Sequence, residues 1–174
     1  MLSGAAGAQH NLNRQSDWSQ AWGSLGVSAL LVLGPIRRVG IPALTRLYYT
    51  PMTTAEIVIG MSIFALFATT RTPILVKRVA PKVVERARNL DKTSPLHHRA
   101  LAPLCGLGLL PLTARSISIL GALPAIILAA RAAYGLVPLP YRDVIFFSAM
   151  FGGLAPFAAA ITAYQVLGLP GENA

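Results

Sequence analysis

Acidic residues are scarce in this chain: six Asp and Glu stand against fifteen Lys and Arg in 174 residues, with three His and one Cys. Each scarcity excludes something. A single cysteine, Cys105, permits no internal disulfide and lacks the paired-cysteine pattern of many small intermembrane-space proteins. It is expected to be a small apolar filler. His97 and His98 are adjacent, in a basic stretch, without an acid or cysteine at ligand spacing, so a solvated loop is expected and not a metal centre. No histidine falls in an apolar span, which removes the ligand for a haem or chlorophyll held between helices. Glycine-rich phosphate loops, nucleophile elbows and paired carboxylates are also missing. The expectation is therefore no enzyme, no catalytic residue, no metal and no organic cofactor. The absence of an internal repeat or inverted half-symmetry weakens a transporter built from duplicated halves.

What the chain has in abundance is apolar length. Hydrophobic residues make up 54% and charged ones 12%, and the mean hydropathy is +0.58, outside the range of soluble globular proteins. Val144 to Leu169 is a run of 26 residues without a charge, opened by Asp143 at an expected helix N-cap position and closed by Gly168-Leu-Pro-Gly171. At ~1.5 Å per residue it crosses a ~30 Å hydrocarbon core with length to spare. The expected fold is an all-α integral membrane protein in one unit, 1–174, with about three transmembrane helices near 52–70, 112–134 and 144–168.

The remaining segments are expected to lie at the membrane surface. Gly23 to Ile36 is an apolar run of fourteen residues between Trp22 and Arg37-Arg38, too short to span at ~21 Å and read as a half-inserted or surface helix within an N-terminal region, 1–51. Targeting is expected to be internal, and a neighbour is expected to hold the bland tail Met1 to Gln15. Pro42 and Pro51 should bracket a headgroup-level connector carrying Arg46 and Tyr48-Tyr49. Arg71 and Pro73 should end the first span, with Thr53 or Thr54 as its N-cap and Glu56 as a capping acid. Over 74–99, apolar Leu75, Val79, Val83, Ala87 and Leu90 recur at helical spacing, while Lys77, Arg78, Lys82, Arg86, Arg88 and Lys92 fill the other arc. That pattern predicts a basic amphipathic surface helix, kinked at Pro81. Pro103, Gly106, Gly108 and Pro111 break the apolar stretch 100–111, which predicts a re-entrant segment.

Two sets of residues carry the functional expectations. Lys77, Arg78, Lys82 and Arg86 are expected to bind anionic phospholipid, cardiolipin if the membrane is mitochondrial, since each cation gains ~1 kcal/mol near an anionic surface. Ser148, Gly152, Ala155, Ala159 and Ala163 form a small-residue stripe expected to pack against another helix, with a partner chain as the candidate. Glu56 is the one acid near hydrocarbon, expected to cap or sit at the interface, with Arg115 as a less favoured ion-pair partner. The basic loop 71–99 is expected on the matrix or cytoplasmic side.

These features point to a non-catalytic accessory subunit of a multi-subunit energy-converting complex, a respiratory complex or ATP synthase, in the mitochondrial inner membrane. Its partners would be other membrane subunits and anionic lipids, not nucleic acid. A bacterial inner membrane, a small transporter or channel, and a protein import or insertion machine are the alternatives.

Overall fold

The computed structural model describes residues 21–90 and 94–167, and these are almost wholly helical, without a strand among them. Four helices are long and apolar enough to cross a membrane: α1, Ala21–Tyr49; α2, Thr54–Arg88; α5, Ala114–Leu136; and α6, Leu139–Leu167. Between α2 and α5 lie two short helices, α3 (Leu96–Ala100) and α4 (Ala102–Gly106). The expected N-terminal tail, Lys92 and the closing Gly168-Leu-Pro-Gly171 fall outside the described residues.

The helices run further than the expected boundaries because proline does not stop them. Pro42, Pro73, Pro81 and Pro156 each follow a five-residue π-turn: Ile36–Gly40, Phe67–Arg71, Leu75–Val79 and Met150–Leu154. In every case the backbone N–H of the residue just before the proline donates to the carbonyl five back: Ile41 to Ile36, Thr72 to Phe67, Ala80 to Leu75, Ala155 to Met150. A proline inside an α-helix has no N–H and crowds the carbonyl four residues earlier. Widening the preceding turn by one residue relieves that crowding and lets the helix continue.

Two expectations are corrected by this device, and a third by where α6 begins. The run 23–36 is not a separate short helix, since α1 continues past Arg37-Arg38 and through Pro42 to Tyr49. The 52–70 span does not end at Arg71-Pro73, since α2 continues to Arg88 and contains the basic stretch as its second half. At ~1.5 Å per residue its 35 residues extend ~52 Å. Asp143 is not an N-cap, because α6 starts at Leu139. The count is four apolar helices instead of three.

Segment 100–111 is built from a short helix followed by a turn. Alpha-helices α3 and α4 pack against the first turns of α1 and the last turns of α2: Pro103 meets Gly26, and Gly106 sits against Val27 and Val83. Gly108, at φ +74°, turns the chain in the left-handed region that suits glycine, and the Arg86 guanidinium covers it. Thr113 and Ser116 then cap α5 reciprocally.

Helices α1 and α2 are antiparallel, joined by residues 50–53, and α6 lies beside both, parallel to α2. The core is at the basic end. Val27 of α1, Ala80, Val83 and Val84 of α2, and Phe157 and Ile161 of α6 form one buried cluster. Across it the Ser28 hydroxyl donates to the Ala158 carbonyl at 3.3 Å, and Arg88 donates to the Tyr164 carbonyl at 3.1 Å. Leu90, Ala102 and Cys105 form a second, smaller cluster. Helix α5 stands apart: of its 23 residues only Ser116 is buried. Its far end is tied by Arg142, which donates to the Val137 and Gly135 carbonyls, and by the Tyr134 hydroxyl, which donates to the Arg142 carbonyl at 3.2 Å.

Candidate functional site

At the end opposite the core, three helix termini converge on one guanidinium. Thr53 caps α2: its hydroxyl accepts from the Glu56 N–H at 3.3 Å, while its own N–H and hydroxyl donate to Glu56 Oε2 at 2.7 and 2.8 Å. Of the two expected N-caps, Thr53 and Thr54, the helix uses Thr53, and with Glu56, the expected capping acid, it forms a capping box. It leaves Glu56 Oε1 facing α1. Arg46, in the last turn of α1, fills that place. Its Nη2 donates to Glu56 Oε1 at 3.3 Å and to the Pro140 carbonyl at 2.8 Å, and its Nε donates to Asp143 Oδ2 on α6.

The cluster is substantially enclosed, with Glu56 and Asp143 side chains 5% and 14% exposed and Arg46 28%. It carries two carboxylates and one cation, so its formal charge is −1. Arg115, weighed as a partner for Glu56, is exposed at the start of α5 and makes neither of the two ion pairs among the described residues, both of which belong to Arg46. The planar fork of arginine suits this place, since one group satisfies acceptors on two other helices at once. Chemically the arrangement is a clasp: the Arg46 guanidinium joins α1 to the start of α2 and to the start of α6.

Beside the clasp lies an apolar groove of about 700 Å³ between α1, α2 and α6. Its walls run from Val32 to Leu47 on α1, from Ile57 to Phe64 on α2 and from Val144 to Ala155 on α6, and Ser148 supplies the one hydroxyl. Two of the π-turns help shape it through Ile36, Gly40 and Met150. A volume of this size lies within the ~300–1,000 Å³ of small-ligand sites.

The expected site residues fall in different places. Lys77, Arg78, Lys82 and Arg86 are all exposed on the second half of α2. The small-residue stripe divides. Ser148 and Gly152 close against α2, where Gly60 faces Val144 and Ser148, and a Cβ at Gly152 would lie 3.1 Å from the Phe64 carbonyl oxygen. Ala155 lines the groove, Ala163 is half-buried and Ala159 is exposed. The upper part of the stripe is thus covered by the chain itself and not by a partner. His97 and His98 form the middle of α3, edge to face at 4.4 Å, in place of a loop. Cys105 is buried, its thiol donating to the His98 carbonyl at 3.5 Å, and burial pushes that thiol up from its ordinary range. The described residues contain no group of three His, Cys, Asp or Glu placed to hold a metal.

Sequence reasoning missed the clasp. Arg46 reads as a connector residue when α1 is ended at Arg38, and Asp143 lies 97 positions away. The available signal was electrostatic: Arg46 and Glu56 are isolated charges beside long apolar runs and Asp143, next to Arg142, opens a third, and charges so placed are costly unless they meet. Comparison of the chain with family models, curated proteins and solved structures finds no match.

Proposed function

We propose that this protein is a membrane-embedded, non-catalytic subunit of a larger hetero-oligomeric complex, most consistent with an accessory subunit of an energy-converting assembly in the mitochondrial inner membrane, with its basic end toward the matrix. The observation that carries the reading is the placement of Arg37, Arg38 and Arg71. All three are exposed well inside long apolar helices, among exposed Leu30, Leu33, Ile41, Leu66 and Ile74. Neither ion pair of the described residues includes them, since both belong to Arg46. An arginine at the centre of a transmembrane helix costs ~2.5–3.5 kcal/mol by insertion scales. Counter-charge from outside the chain, a neighbouring subunit's carboxylates or lipid phosphates, removes that cost. Helix α5 supports the same reading, since nearly all of its surface is free for a neighbour and an added Cβ at Gly121 would meet nothing within 4 Å.

The matrix-side and organelle assignments rest on the charge excess beyond Arg71, over 77–99, and on the acid-poor composition. Extraction in mild detergent, followed by peptide mass spectrometry of what co-purifies, tests the proposal. A defined set of membrane subunits is expected, depleted when Arg38 and Arg71 are both replaced by glutamine. A monodisperse, thermally stable chain that co-purifies with nothing would overturn the proposal and favour a self-contained transporter.

In the same preparation Lys77, Arg78, Lys82 and Arg86 are expected to retain cardiolipin or another anionic lipid at the headgroup layer. Replacing all four by glutamine should remove most of that lipid, read by native mass spectrometry. Unchanged lipid occupancy would assign these four cations to a protein surface.

A further inference from the structure

We propose that Arg71 and the recess around it form the seat for a carboxylate on a partner's transmembrane helix, an Asp or Glu carried near the middle of an otherwise apolar span. The inference rests on the accessory-subunit reading above and names the chemistry of one contact within it. The local structure begins with Pro73. To keep that proline inside α2 the helix widens over Phe67–Arg71, where the Thr72 N–H donates to the Phe67 carbonyl. At this turn Leu66, Phe67, Thr70, Arg71 and Ile74 line a recess of about 440 Å³. It opens outward, since Leu66 and Ile74 are 59% and 47% exposed and Thr70 and Arg71 are exposed between them.

Hydrogen-bond accounting narrows what can enter. The Thr70 hydroxyl donates to the Leu66 carbonyl and the Thr69 hydroxyl to the Ala65 carbonyl, so both hydrogens are spent within α2. The side-chain donors that remain are those of Arg71, which takes part in neither ion pair of the described residues. A guanidinium is permanently charged and has five N–H donors and no acceptor, so its complement is an anion with paired oxygens.

Depth separates a carboxylate from a lipid phosphate. Arg71 stands midway between Thr54 and Arg88, ~25 Å from each along a helix of ~52 Å. A hydrocarbon core is ~30 Å thick, so wherever it falls along α2 it contains residue 71. Exposed apolar side chains continue in both directions, Ile57 and Met61 toward the clasp, Trp22, Leu25 and Leu167 around the basic end. That spread centres the core near Arg71, about 15 Å from either headgroup layer. A phosphate stays in its headgroup layer, whereas a carboxylate on a spanning helix stands at whatever depth its sequence sets, and acids inside membranes are found paired. Leu66 and Ile74, about a turn to either side of Arg71, give the partner helix apolar contacts above and below the ion pair.

The test uses the full chain in its native membrane. With the photoreactive p-benzoylphenylalanine placed at Ile74, beside an intact Arg71, illumination followed by mild-detergent extraction and peptide sequencing reads out what lies against the recess. The expected cross-link falls in an apolar span of one subunit, within about a turn of an Asp or Glu. Arg71→Gln should deplete that subunit from the co-purified set about tenfold, the size of one lost charge-assisted contact, and Arg71→Lys should deplete it less. Arg71→Glu should lose it more fully, and combining Arg71→Glu with arginine in place of the partner's acid should bring it back. A cross-linked span without an acid, cross-links to lipid alone, a subunit fully retained by Arg71→Gln, or phospholipid lost from Arg71→Gln with every subunit kept would each overturn the proposal. Because Arg71 is exposed, the circular dichroism of Arg71→Gln should match the parent. If it does not, the cross-link made with Arg71 intact decides the case. The broader reading fails separately: a subunit set unmoved by Arg71→Gln sinks only this seat, while a chain that co-purifies with nothing sinks both.

Discussion

Replacing Arg46 by methionine is expected to be the most damaging single change at the clasp. Methionine matches the length of the arginine stem but leaves the Glu56 and Asp143 carboxylates, on two other helices, without the cation that joins them. For a chain of this size a fall of about 4 °C or more in the thermal midpoint is expected, read by circular dichroism in mild detergent. Arg46→Lys should recover only part of it. An ammonium cannot place one donor on Asp143, another on Glu56 and a third on the Pro140 carbonyl in the fork that the guanidinium uses. Combining Arg46→Met with Glu56→Gln and Asp143→Asn should restore most of the stability, because neutral amides keep the Thr53 contacts without a buried charge. A midpoint in Arg46→Met within 2 °C of the parent would mean that the clasp is incidental to the fold.

The cap of α2 was legible in the sequence because it is local. Thr53 and Glu56 are three residues apart, at the start of an apolar run, and the capping box needs nothing else. The apolar character of all four long helices was legible for the same reason. Continuity was not. Arg71-Pro73 reads as a terminus when proline is counted only as a lost hydrogen bond, whereas the wide turn at Phe67–Arg71 absorbs the ring and α2 goes on to Arg88. Likewise Arg37-Arg38 reads as an anchor at a helix end and is instead exposed within α1. The site suffered most, because its parts are brought together only by tertiary structure. The groove needs α1, α2 and α6 in place, and no periodicity in any one of them encodes a space between all three.

These two oversights have one physical origin. Once α1 and α2 are allowed to run through their prolines, each becomes a helix with an apolar half and a cationic half. Antiparallel packing then sets the apolar start of α1 beside the basic end of α2, through Gly23 against Ala87 and Val27 near Val83. The buried core therefore forms at the basic end, where water or headgroups are expected, and the groove forms at the more apolar end. Such a division fits a protein whose own packing fixes one end and whose other end is completed by lipid or a neighbour.

Gly152→Leu is expected to destabilise the chain itself, by about 3 kcal/mol, before any partner is considered. The first carbon of the new side chain would stand 3.1 Å from both the Phe64 carbonyl oxygen and Phe67 Cβ, and 3.4 Å from Phe64 Cα. Backbone on α2 cannot move aside as a side-chain tip can. The close approach is also fastened from the other side, since the Thr72 hydroxyl donates to the Gly152 carbonyl. Forcing methylenes into such a contact costs ~1–3 kcal/mol, more where backbone must shift, and here the displacement would also pull the Thr72 contact apart. Ala159→Leu provides the contrast. Ala159 continues the same spacing along α6 but is exposed, so leucine there should leave the isolated chain's midpoint within about 1 °C, as an unobstructed surface change does. If Ala159 faces a neighbouring subunit, the same change should release the chain from its complex in the co-purification assay. The two variants thus divide the stripe into an intramolecular part and a free part. A stable Gly152→Leu chain would show that α2 and α6 do not pack at this crossing, and the groove, which depends on the same packing, would go with it.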